Sequence, residues 1–331
     1  MMISVLLPFR NAAETIVGAI DSLLAQRGVD FEVLAVDDGS SDGSTERVRG
    51  FQDRRLRLEQ NRGPGGIVGA LETGRKLVKS AWIARMDADD LAHPDRLARQ
   101  LERAMQPDRP EGVACRVRLL NPWGEGMKRY VEWVNSLSDA DEISRARFIE
   151  SPLIHPSMLI RAESLDRAGG WREVPWAEDH DLWLRMLAQG CRFTRVPEVL
   201  LDWRDGPERL TRNDARYGDE ARMAMRCHHL ARLPGLAARG VSIAGAGPIG
   251  KRLARGLIDE GVALHGFFEV NPRRIGETIH GVPVVGSEEI ATHWRDSVLL
   301  GAVGIPGGRE QVGRVAASAG REEGVDFWSV C

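Results

Sequence analysis

The stretch SAWIARMDADD, from Ser80 to Asp90, passes from an apolar segment directly into three carboxylates. The apolar residues predict a short buried strand. The carboxylates that follow, Asp87, Asp89 and Asp90, repel one another unless a positive charge lies among them. Because Asp87 and Asp89 share a face in extended geometry, the stretch predicts a strand that ends at a binding site for a cation.

The residues up to position 120 alternate short apolar runs with helical patterns. Ile3 to Leu7 and Glu32 to Val36 are typical of strands, whereas Ala12 to Gln26 places its apolar residues on one helical face. Such alternation predicts an α/β fold with parallel strands joined by crossover helices. Ligands of these sheets bind outside the carboxyl ends of the strands, so the acidic stretch is expected at a binding edge.

The composition is that of an ordinary globular protein, with 331 residues, of which 43% are hydrophobic and 28% charged. This length predicts two domains. The pattern changes after Leu233-Pro234-Gly235, so we place the domains at residues 1–235 and 236–331. The net charge of −3 does not favour nucleic acid as a partner.

The cysteines and the N-terminus bear on the compartment in which the chain works. Four widely spaced cysteines without a CxxC pair predict neither a disulfide framework nor a zinc site, and a reducing compartment fits them best. The apolar run at the N-terminus is too short for a signal peptide, and no stretch reaches the roughly 20 apolar residues of a membrane span. We therefore expect a cytoplasmic location, with peripheral membrane contact left open.

A second acidic pair, Asp37-Asp38, also follows a predicted strand and precedes the turn-forming segment Gly39 to Asp42. Two carboxylate clusters at neighbouring strand ends form a hard-oxygen site that suits Mg²⁺ or Mn²⁺ held together with a phosphate group. The alternative is that these residues only cap the helices that follow, since Asp is favoured at N-caps and in turns. The occurrence of both clusters in one parallel-sheet pattern favours the metal site.

A third acidic group lies in AEDHDLWLRM, where Glu178 and Asp179 occupy the first turn of a predicted helix. The helix dipole alone favours acids there by about 0.3–1 kcal/mol each. A carboxylate held at a helix start beside a metal–diphosphate site can instead accept a proton from a hydroxyl. The residues themselves leave both interpretations open.

Five segments together resemble family 2 glycosyltransferases of the GT-A fold. They follow the family's order and spacing over roughly residues 2–205, which makes the resemblance far more specific than any single motif. The segments are SVLLPFRNAAETIVGAIDSLLAQ, VLAVDDGSSDGS, WIARMDADDLAHPDRLARQ, HPSMLIR and GGWREVPWAEDHDLWLRM. The expected fold is therefore α/β, with a GT-A (nucleotide-diphospho-sugar transferase) Rossmann-like mixed sheet.

The resemblance implies a metal-dependent, inverting transfer of a sugar from a nucleotide diphosphate sugar, with a UDP-sugar favoured. The acceptor would be a hydroxyl of a saccharide or a lipid-linked molecule, in cell-surface polysaccharide or glycan assembly. Asp179 matches the catalytic base with Glu178 beside it, and Asp89 matches the ligand of Mn²⁺ or Mg²⁺. The other matches are nucleotide-binding Pro8, Arg10, Asn11, Glu14, Asp37, Asp38 and Asp87, and acceptor-side His155, Trp176, Trp203 and Arg204.

Two positions depart from the pattern of the family. Many relatives carry a histidine where this chain has Gly206, and that histidine can complete the metal site. Asp205 or a phosphate-binding Arg209 could replace it, or Asp89 could hold the metal with only the diphosphate and water. Arg10 stands where an aromatic residue is common, so the identity of the nucleotide is left open.

The acceptor side is less defined. Acceptor sites in such folds are built from variable loops, which here are expected at 120–155 and 200–215. Trp123, Trp133 and Trp171 are interpreted as core or rim aromatics, with an acceptor sugar stacking on one of them left open.

The C-terminal part predicts a small Rossmann-like α/β domain. Gly245, Gly247 and Gly250 form a GxGxxG segment directly after a predicted strand, and Glu269 ends the next one. This pattern is typical of a site for NAD(P) or another nucleotide, although the glycines could equally serve helix–strand packing alone. Two other functions are therefore weighed against the transferase: an NAD(P)-binding oxidoreductase and a non-catalytic nucleotide-sugar-binding protein.

Overall fold

The computed structural model describes residues 1–207 and 209–331, which form two compact units. The first unit contains Met1–Ile143, Pro152–Val174 and Glu178–Asn213, and the second contains Ser144–Ser151, Pro175–Ala177 and Asp214–Cys331. The main division thus falls earlier than the predicted boundary near 236, because the helix before that boundary packs on a helix after it. Independent folding of 1–235 and 236–331 stays a prediction.

In the described part of the first unit, eight strands form one mixed sheet. They are β1 (Met2–Phe9), β2 (Asp30–Asp37), β3 (Leu56–Gln60), β4 (Trp82–Arg85), β5 (Leu91–Ala92), β6 (Gly112–Leu120), β7 (Met158–Arg161) and β8 (Phe193–Arg204). Their order across the sheet is β3-β2-β1-β4-β7-β6-β8-β5. β7 and β5 run antiparallel to their neighbours, and the other strands share one direction. The predicted α/β mixed sheet is confirmed.

Helices connect these strands and cover both faces of the sheet. They are α1 (Ile16–Leu24), α2 (Ser44–Arg49), α3 (Ile67–Arg75), α4 (Arg96–Ala104), α5 (Glu125–Ser136), α6 (Ala140–Ala146), α7 (Ala162–Arg167), α8 (Glu178–Ala188) and α9 (Leu210–Asn213). β1 is buried along nearly its whole length because its residues are apolar on both faces, as a central parallel strand requires. Ile16 and Ile20 of α1 pack in one core cluster with Ile3 and Val5 of β1.

One edge of this sheet gathers the segments of interest. Strands β1, β2, β4, β6 and β8 run in the same direction, so the residues that follow them meet at the same edge. We call this the carboxyl edge; it comprises residues 10–11, 38–43, 86–90, 121–124 and 205–207. Both acidic clusters predicted from the sequence therefore lie along it.

The second unit has a smaller sheet with the order β11-β12-β10-β9-β13-β14. Its strands are β9 (Val241–Ala244), β10 (Leu264–Glu269), β11 (Thr278–Ile279), β12 (Val282–Gly286), β13 (Val298–Gly301) and β14 (Phe327–Ser329), and its helices are α10 (Asp219–Ala231), α11 (Leu236–Arg239), α12 (Pro248–Asp259) and α13 (Gly308–Ser318). All strands except β11 are parallel, and the order reverses at β9. This is the doubly wound arrangement of a Rossmann-like sheet, as predicted.

Local details differ from the sequence expectations. Although Ser and Thr open the sequence of α2, Gly43 occupies its N-cap with φ of 91° and without a side-chain cap. The Ser44 hydroxyl instead accepts a hydrogen bond from the backbone N–H of Ala12 at 2.7 Å. Part of the expected loop at 120–155 forms α5. Among the described residues, no helix has the length and apolarity that crossing a membrane requires.

Candidate active site

Three carboxylates follow β4 at the carboxyl edge and lie close together. One oxygen from each of Asp87, Asp89 and Asp90 lies within 4.8 Å of the others. Asp90 is fully buried, and its Oδ1 accepts a hydrogen bond from the backbone N–H of Arg204 at 2.8 Å. Its Oδ2 is buried without a hydrogen-bond partner among the described residues. A buried carboxylate oxygen without a donor is costly, so this acidic cluster is suited to a cation.

The pKa values of the acidic cluster shift as its crowding predicts. Burial, together with the charge of Asp87, raises the pKa of Asp89 to about 6. Burial and the charges of Asp87 and Asp89 raise the pKa of Asp90 well above its usual range. A divalent cation would offset this repulsion, and carboxylate oxygens are ligands that Mg²⁺ and Mn²⁺ prefer. The residues present therefore fit the metal that the sequence analysis predicts.

Part of the missing positive charge comes from the chain itself. Arg85, the last residue of β4, is buried, and its guanidinium forms an ion pair with the carboxylate of Asp87. Its charge also interacts with Asp90 and with Glu178 at the start of α8. Sequence reasoning missed this residue, although Arg85 and Asp87 stand two positions apart and so share a face. One buried cation thus faces both groups of acids.

Glu178 and Asp179 begin α8, where the sequence analysis places the catalytic base. Glu178 is buried and Asp179 is half-buried. Burial, followed by the charge of Glu178, raises the pKa of Asp179 to about 7, although the backbone N–H of His180 donates to its carboxylate at 2.7 Å. A carboxyl group that titrates near neutral pH is suited to accept a proton from a hydroxyl.

Two arginines, one at the end of β8 and one in the segment after it, act on the acidic cluster. Arg204 donates from Nε to the carbonyl oxygen of Asp89 at 3.0 Å. Arg209 lies over the ring of Trp203, with 4.0 Å between its Cζ and the ring centroid, and donates to the carbonyl of Arg204 at 2.9 Å. The charge of Arg209 also counteracts the rise in the pKa of Asp89. Of the two replacements considered for the histidine, Arg209 is thus the one whose charge acts on Asp89, and its role in place of the histidine stays a prediction.

Asp205, the other considered replacement, is engaged elsewhere. Its Oδ1 accepts hydrogen bonds from Arg212 at 2.6 Å and from the backbone N–H of Gly206 at 2.9 Å. Its Oδ2 accepts from the backbone N–H of Trp123 at 2.7 Å. Because both oxygens are occupied, Asp205 holds two loops together rather than joining the acidic cluster.

Asp37 lies at the end of β2 and organises the loop that follows. Its carboxylate accepts hydrogen bonds from the backbone N–H of Ser40 at 2.8 Å, the hydroxyl of Thr45 at 2.6 Å and the amide of Gln60 at 3.0 Å. Burial works against ionisation, but these hydrogen bonds outweigh it and lower the pKa of Asp37. Asp37 is therefore ionised and fixed. Its predicted contact with the nucleotide base stays a prediction.

Asp38, the neighbour of Asp37 in the chain, contacts the segment that follows β1. Arg10 lies 3.8 Å from the carboxylate of Asp38, which also accepts from the backbone N–H of Gly66 at 2.8 Å. Asn11, with φ of 51°, accepts from the backbone N–H of Ser41 at 2.9 Å. The structure thus brings together Arg10, Asn11, Asp37 and Asp38. Of the other predicted nucleotide contacts, Pro8 is buried within β1, and Glu14 is exposed ahead of α1.

His155 lies in the interior of the first unit. Its Nε2 accepts a hydrogen bond from the indole N–H of Trp171 at 2.9 Å, and its ring meets that of Trp183 edge to face. Burial and the charge of Arg85 lower its pKa well below the usual range, so His155 is neutral. Trp171, interpreted from the sequence as a core or rim aromatic, is buried. The predicted acceptor role of His155 stays a prediction.

Trp203 and Trp176 lie in different surroundings. Trp203 is buried in the first unit against Arg209 and Tyr130. Trp176 belongs to the second unit, where its ring centroid lies 5.1 Å from that of His228. Their predicted places on the acceptor side, with that of Arg204, stay predictions.

The glycine segment of the second unit follows β9 and begins α12. Gly245 has φ of 113°, and a Cβ there would lie 2.8 Å from the carbonyl oxygen of Ala302. A Cβ at Gly250 would lie 1.9 Å from the carbonyl oxygen of Gly245, whereas one at Gly247 would meet nothing within 4 Å. Packing therefore accounts for two of the three glycines.

Glu269 is already engaged at this segment. Its Oε2 accepts from the backbone N–H of Ala246 at 3.0 Å, and its Oε1 accepts from the backbone N–H groups of Val270 at 2.8 Å and Asn271 at 3.1 Å. The carboxylate that the sequence analysis included in a candidate nucleotide site thus stabilises the glycine segment. NAD(P) binding stays a prediction.

Comparison with known proteins identifies sequence relatives of the first unit. Residues 4–169 match the family model for glycosyl transferase family 2. The succinoglycan biosynthesis protein ExoO of Rhizobium meliloti (strain 1021) is 48% identical over 97 residues. This alignment covers 28% of the chain and 27% of ExoO, so the chain spans about a quarter of that relative's length.

Solved structures share the fold at low sequence identity. S. aureus TarS 1-349 in complex with UDP-GlcNAc has a TM-score of 0.54 and 16% identity, over 78% of this chain and 72% of that one. The mannosyltransferase PcManGT from Pyrobaculum calidifontis, in complex with GDP-Man and Mn²⁺, has a TM-score of 0.50 and 23% identity, over 77% and 68%. At such identities the likeness concerns the fold alone, and it confirms the predicted GT-A fold.

Proposed function

The chain belongs to glycosyl transferase family 2, and from this premise we propose that it is a metal-dependent, inverting glycosyltransferase. It moves a sugar from a nucleotide diphosphate sugar to an acceptor hydroxyl. The observation that carries the proposal is the acidic cluster of Asp87, Asp89 and Asp90, in which one buried carboxylate oxygen has no donor among the described residues. The similarity to ExoO, a succinoglycan biosynthesis protein, supports a role in cell-surface polysaccharide assembly.

The acidic cluster would hold Mn²⁺ or Mg²⁺, with Asp89 as the principal ligand. When bound, the cation stabilises the charge that develops on the leaving diphosphate. The guanidinium of Arg85 pairs with the carboxylate of Asp87. A single divalent cation would therefore balance the charges of the two remaining carboxylates, Asp89 and Asp90. The Mn²⁺ in PcManGT supports this assignment for the fold.

Asp179 would act as the general base. Its pKa of about 7 allows the carboxylate to take the proton of the acceptor hydroxyl as that oxygen attacks the anomeric carbon. Glu178 raises this pKa by its charge, and Arg85 opposes that effect. No residue need form a bond with the sugar, because direct attack from the opposite face inverts the anomeric centre.

The nucleotide would bind at the segments after β1 and β2. Arg10, Asn11 and Asp38 lie together there, and Asp37 fixes the loop between them. Arg209 would supply positive charge toward the diphosphate, in place of the histidine that many relatives have at the position of Gly206. We favour a UDP-sugar, which agrees with the UDP-GlcNAc bound by TarS.

Thermal unfolding in the presence of nucleotides tests the proposal. The panel is UDP, GDP, CDP, dTDP and NAD(H), each with and without Mn²⁺. A nucleotide at 100 times its dissociation constant stabilises the fold by about 2.7 kcal/mol, which gives a measurable rise in melting temperature. We expect one nucleoside diphosphate, UDP in the first place, to act only with Mn²⁺.

Two variants make this experiment specific. Asp89→Asn should lose the Mn²⁺-dependent rise, whereas Asp95→Asn, an exposed aspartate six positions further on, should retain it. A rise with NAD(H) alone that needs no metal would contradict the transferase and favour the oxidoreductase. Nucleotide binding without any release of nucleoside diphosphate from a sugar donor would favour the non-catalytic sugar-nucleotide sensor.

A further inference from the structure

Trp123 presents a large exposed indole at the carboxyl edge. It lies in the segment 121–124 that connects β6 to α5, and 59% of its surface is accessible. The sequence analysis interpreted it as a core or rim aromatic and left open that an acceptor sugar stacks on it. An accessible indole of this extent excludes the core, and tryptophan is enriched at interfaces, where its ring offers an apolar surface and a polar N–H.

The backbone around Trp123 is fixed from both sides. Its N–H donates to Asp205 Oδ2 at 2.7 Å, and its carbonyl oxygen accepts from Arg212 at 3.1 Å. Asp205 and Arg212 also form an ion pair at 2.6 Å, and the Asp205 side chain is inaccessible to solvent. Because the Asp205 side chain is inaccessible to solvent, its hydrogen bond holds the backbone of the loop in place at Trp123. A preformed position lowers the cost of ordering a ligand contact.

Small and polar residues flank Trp123 in the sequence. Gly124 and Gly126 follow it, and a Cβ at either would meet no described atom within 4 Å beyond its chain neighbours. Asn121 and Glu125 supply exposed polar side chains on either side. In the described segment 121–126, Trp123 is therefore the one large apolar side chain.

Hydrogen bonds at the end of β8 connect the Trp123 loop to the acidic cluster. Asp205 follows Arg204, whose backbone N–H donates to Asp90 and whose Nε donates to the carbonyl oxygen of Asp89. The Asp205 N–H in turn donates to the carbonyl oxygen of Leu120 at 3.0 Å. Hydrogen bonds thus connect the Trp123 loop to the residues that would hold the metal.

We propose that Trp123 is the stacking platform for a pyranose ring of the saccharide acceptor. The inference rests on the proposed function, because it takes the adjacent acidic cluster as the place of transfer. A pyranose has one apolar face of C–H groups, which an indole covers, and hydroxyls at its rim, which the exposed Asn121 can bind. A membrane surface would instead require several large apolar side chains beside the indole, and in the described segment 121–126 Trp123 is the one such residue.

To test this, the protein is produced with 5-fluorotryptophan in place of tryptophan, and the fluorine resonances are followed by NMR. Trp123→Phe identifies the resonance of Trp123, and Trp133→Phe identifies that of a partly buried tryptophan on α5 as the control. Methyl pyranosides of glucose, galactose, mannose and N-acetylglucosamine are then added at millimolar concentration, with UDP and Mn²⁺ present. We expect at least one to shift the Trp123 resonance while that of Trp133 stays in place.

Ligand-observed NMR with variants completes the test. For the pyranoside that binds, Trp123→Ala should weaken the apparent affinity roughly fivefold or more, whereas Trp123→Tyr should keep most of it, as loss of an aromatic contact predicts. Met105→Ala, at an exposed apolar residue at the end of α4, should change nothing. The melting temperature with UDP and Mn²⁺ is recorded for every variant.

Three results would overturn the inference. They are no response of the Trp123 resonance to any pyranoside, equal responses of Trp123 and Trp133, and a response only to phosphatidylglycerol vesicles. If UDP and Mn²⁺ still stabilise the protein in those cases, the platform alone is refuted. If they do not, the proposed function fails as well.

Discussion

The two units differ in how the chain satisfies the carboxylates that follow their parallel strands. In the first unit, Asp90 is buried with one oxygen that has no partner in the part of the chain that the structure describes, and the pKa of neighbouring Asp89 is raised. In the second unit, Glu269 accepts hydrogen bonds from the backbone N–H groups of Ala246, Val270 and Asn271. Both edges follow parallel strands and precede helices. Among the described residues, only the first edge holds a buried carboxylate oxygen without a hydrogen-bond partner.

This difference shows where to expect chemistry. Unsatisfied buried charge lowers stability, so it persists mainly where a ligand or a reaction requires it. A carboxylate that is saturated by backbone amides has a structural role that needs no ligand. The comparison therefore predicts that substitutions at the first edge change activity and ligand binding, whereas substitutions at the second edge change only stability.

The largest expected effect is that of Asp179→Asn. Removal of a general base lowers kcat by roughly 10²- to 10⁴-fold, while the stabilisation by UDP with Mn²⁺ is retained because the amide keeps the shape of the side chain. Initial rates of sugar transfer measure the first and thermal unfolding the second. Asp141→Asn, an exposed aspartate in α6, serves as the control. Full activity in Asp179→Asn would remove this residue from the mechanism.

Asp89→Asn should stabilise the metal-free protein while abolishing its response to Mn²⁺. The pKa of Asp89 is raised to about 6, so the folded state favours the protonated form. Protonated Asp89 stabilises the folded state at pH values below the ordinary pKa of an aspartate. This contribution to the free energy of unfolding is lost as the pH rises toward 6. At neutral pH a neutral side chain should therefore add about 0.5–2 kcal/mol, as read from denaturant unfolding. A variant less stable than the wild type without metal would contradict the contrast between the edges.

The pH dependence of transfer gives a finer test. Because the base must be deprotonated and its pKa is about 7, kcat/KM should rise with pH and level off above that value. Glu178 raises this pKa by its charge, so Glu178→Gln should move the rising limb to lower pH. Rates measured between pH 5 and 9 with a buffer-matched control decide it. A limb that stays in place would show that Glu178 does not face the base.

The smallest expected effect is that of Glu269→Gln in the second unit. Weaker hydrogen bonds to the backbone amides should cost about 1 kcal/mol of unfolding free energy, with no change in kcat or in the response to Mn²⁺. Unfolding curves and transfer rates from the same preparation measure both. A loss of activity without a loss of stability would give the second edge a functional role and break the comparison.

Much of the first unit could be predicted from the sequence because its signals are local. Apolar runs that end in acids marked β2 and β4, and the acidic helix start marked α8. Arg85 was missed because its position within an apolar run drew attention away from its spacing to Asp87, which was the one local signal of its ion pair. The roles of Asp205 and Trp123 depend on a contact between residues 82 positions apart. Such long-range contacts arise from the order of strands, which no local pattern specifies.

The nucleotide site predicted in the second unit depends on long-range contacts in the same way. The GxGxxG segment and Glu269 matched a nucleotide fingerprint in every local respect. Only the packed structure shows that Ala246 already satisfies Glu269 and that Ala302 crowds Gly245. A pattern can thus identify the fold correctly while leaving its ligand undetermined.

The glycine segment also has a consequence for inheritance. Natural selection for packing alone would preserve Gly245 and Gly250, since a methyl group at either would run into a carbonyl oxygen. Descendants that lost any ligand would still carry both, and motif searches would keep reporting them. Gly247 is under no such steric constraint, so its drift or persistence among homologues is the record from which an ancestral ligand can be read.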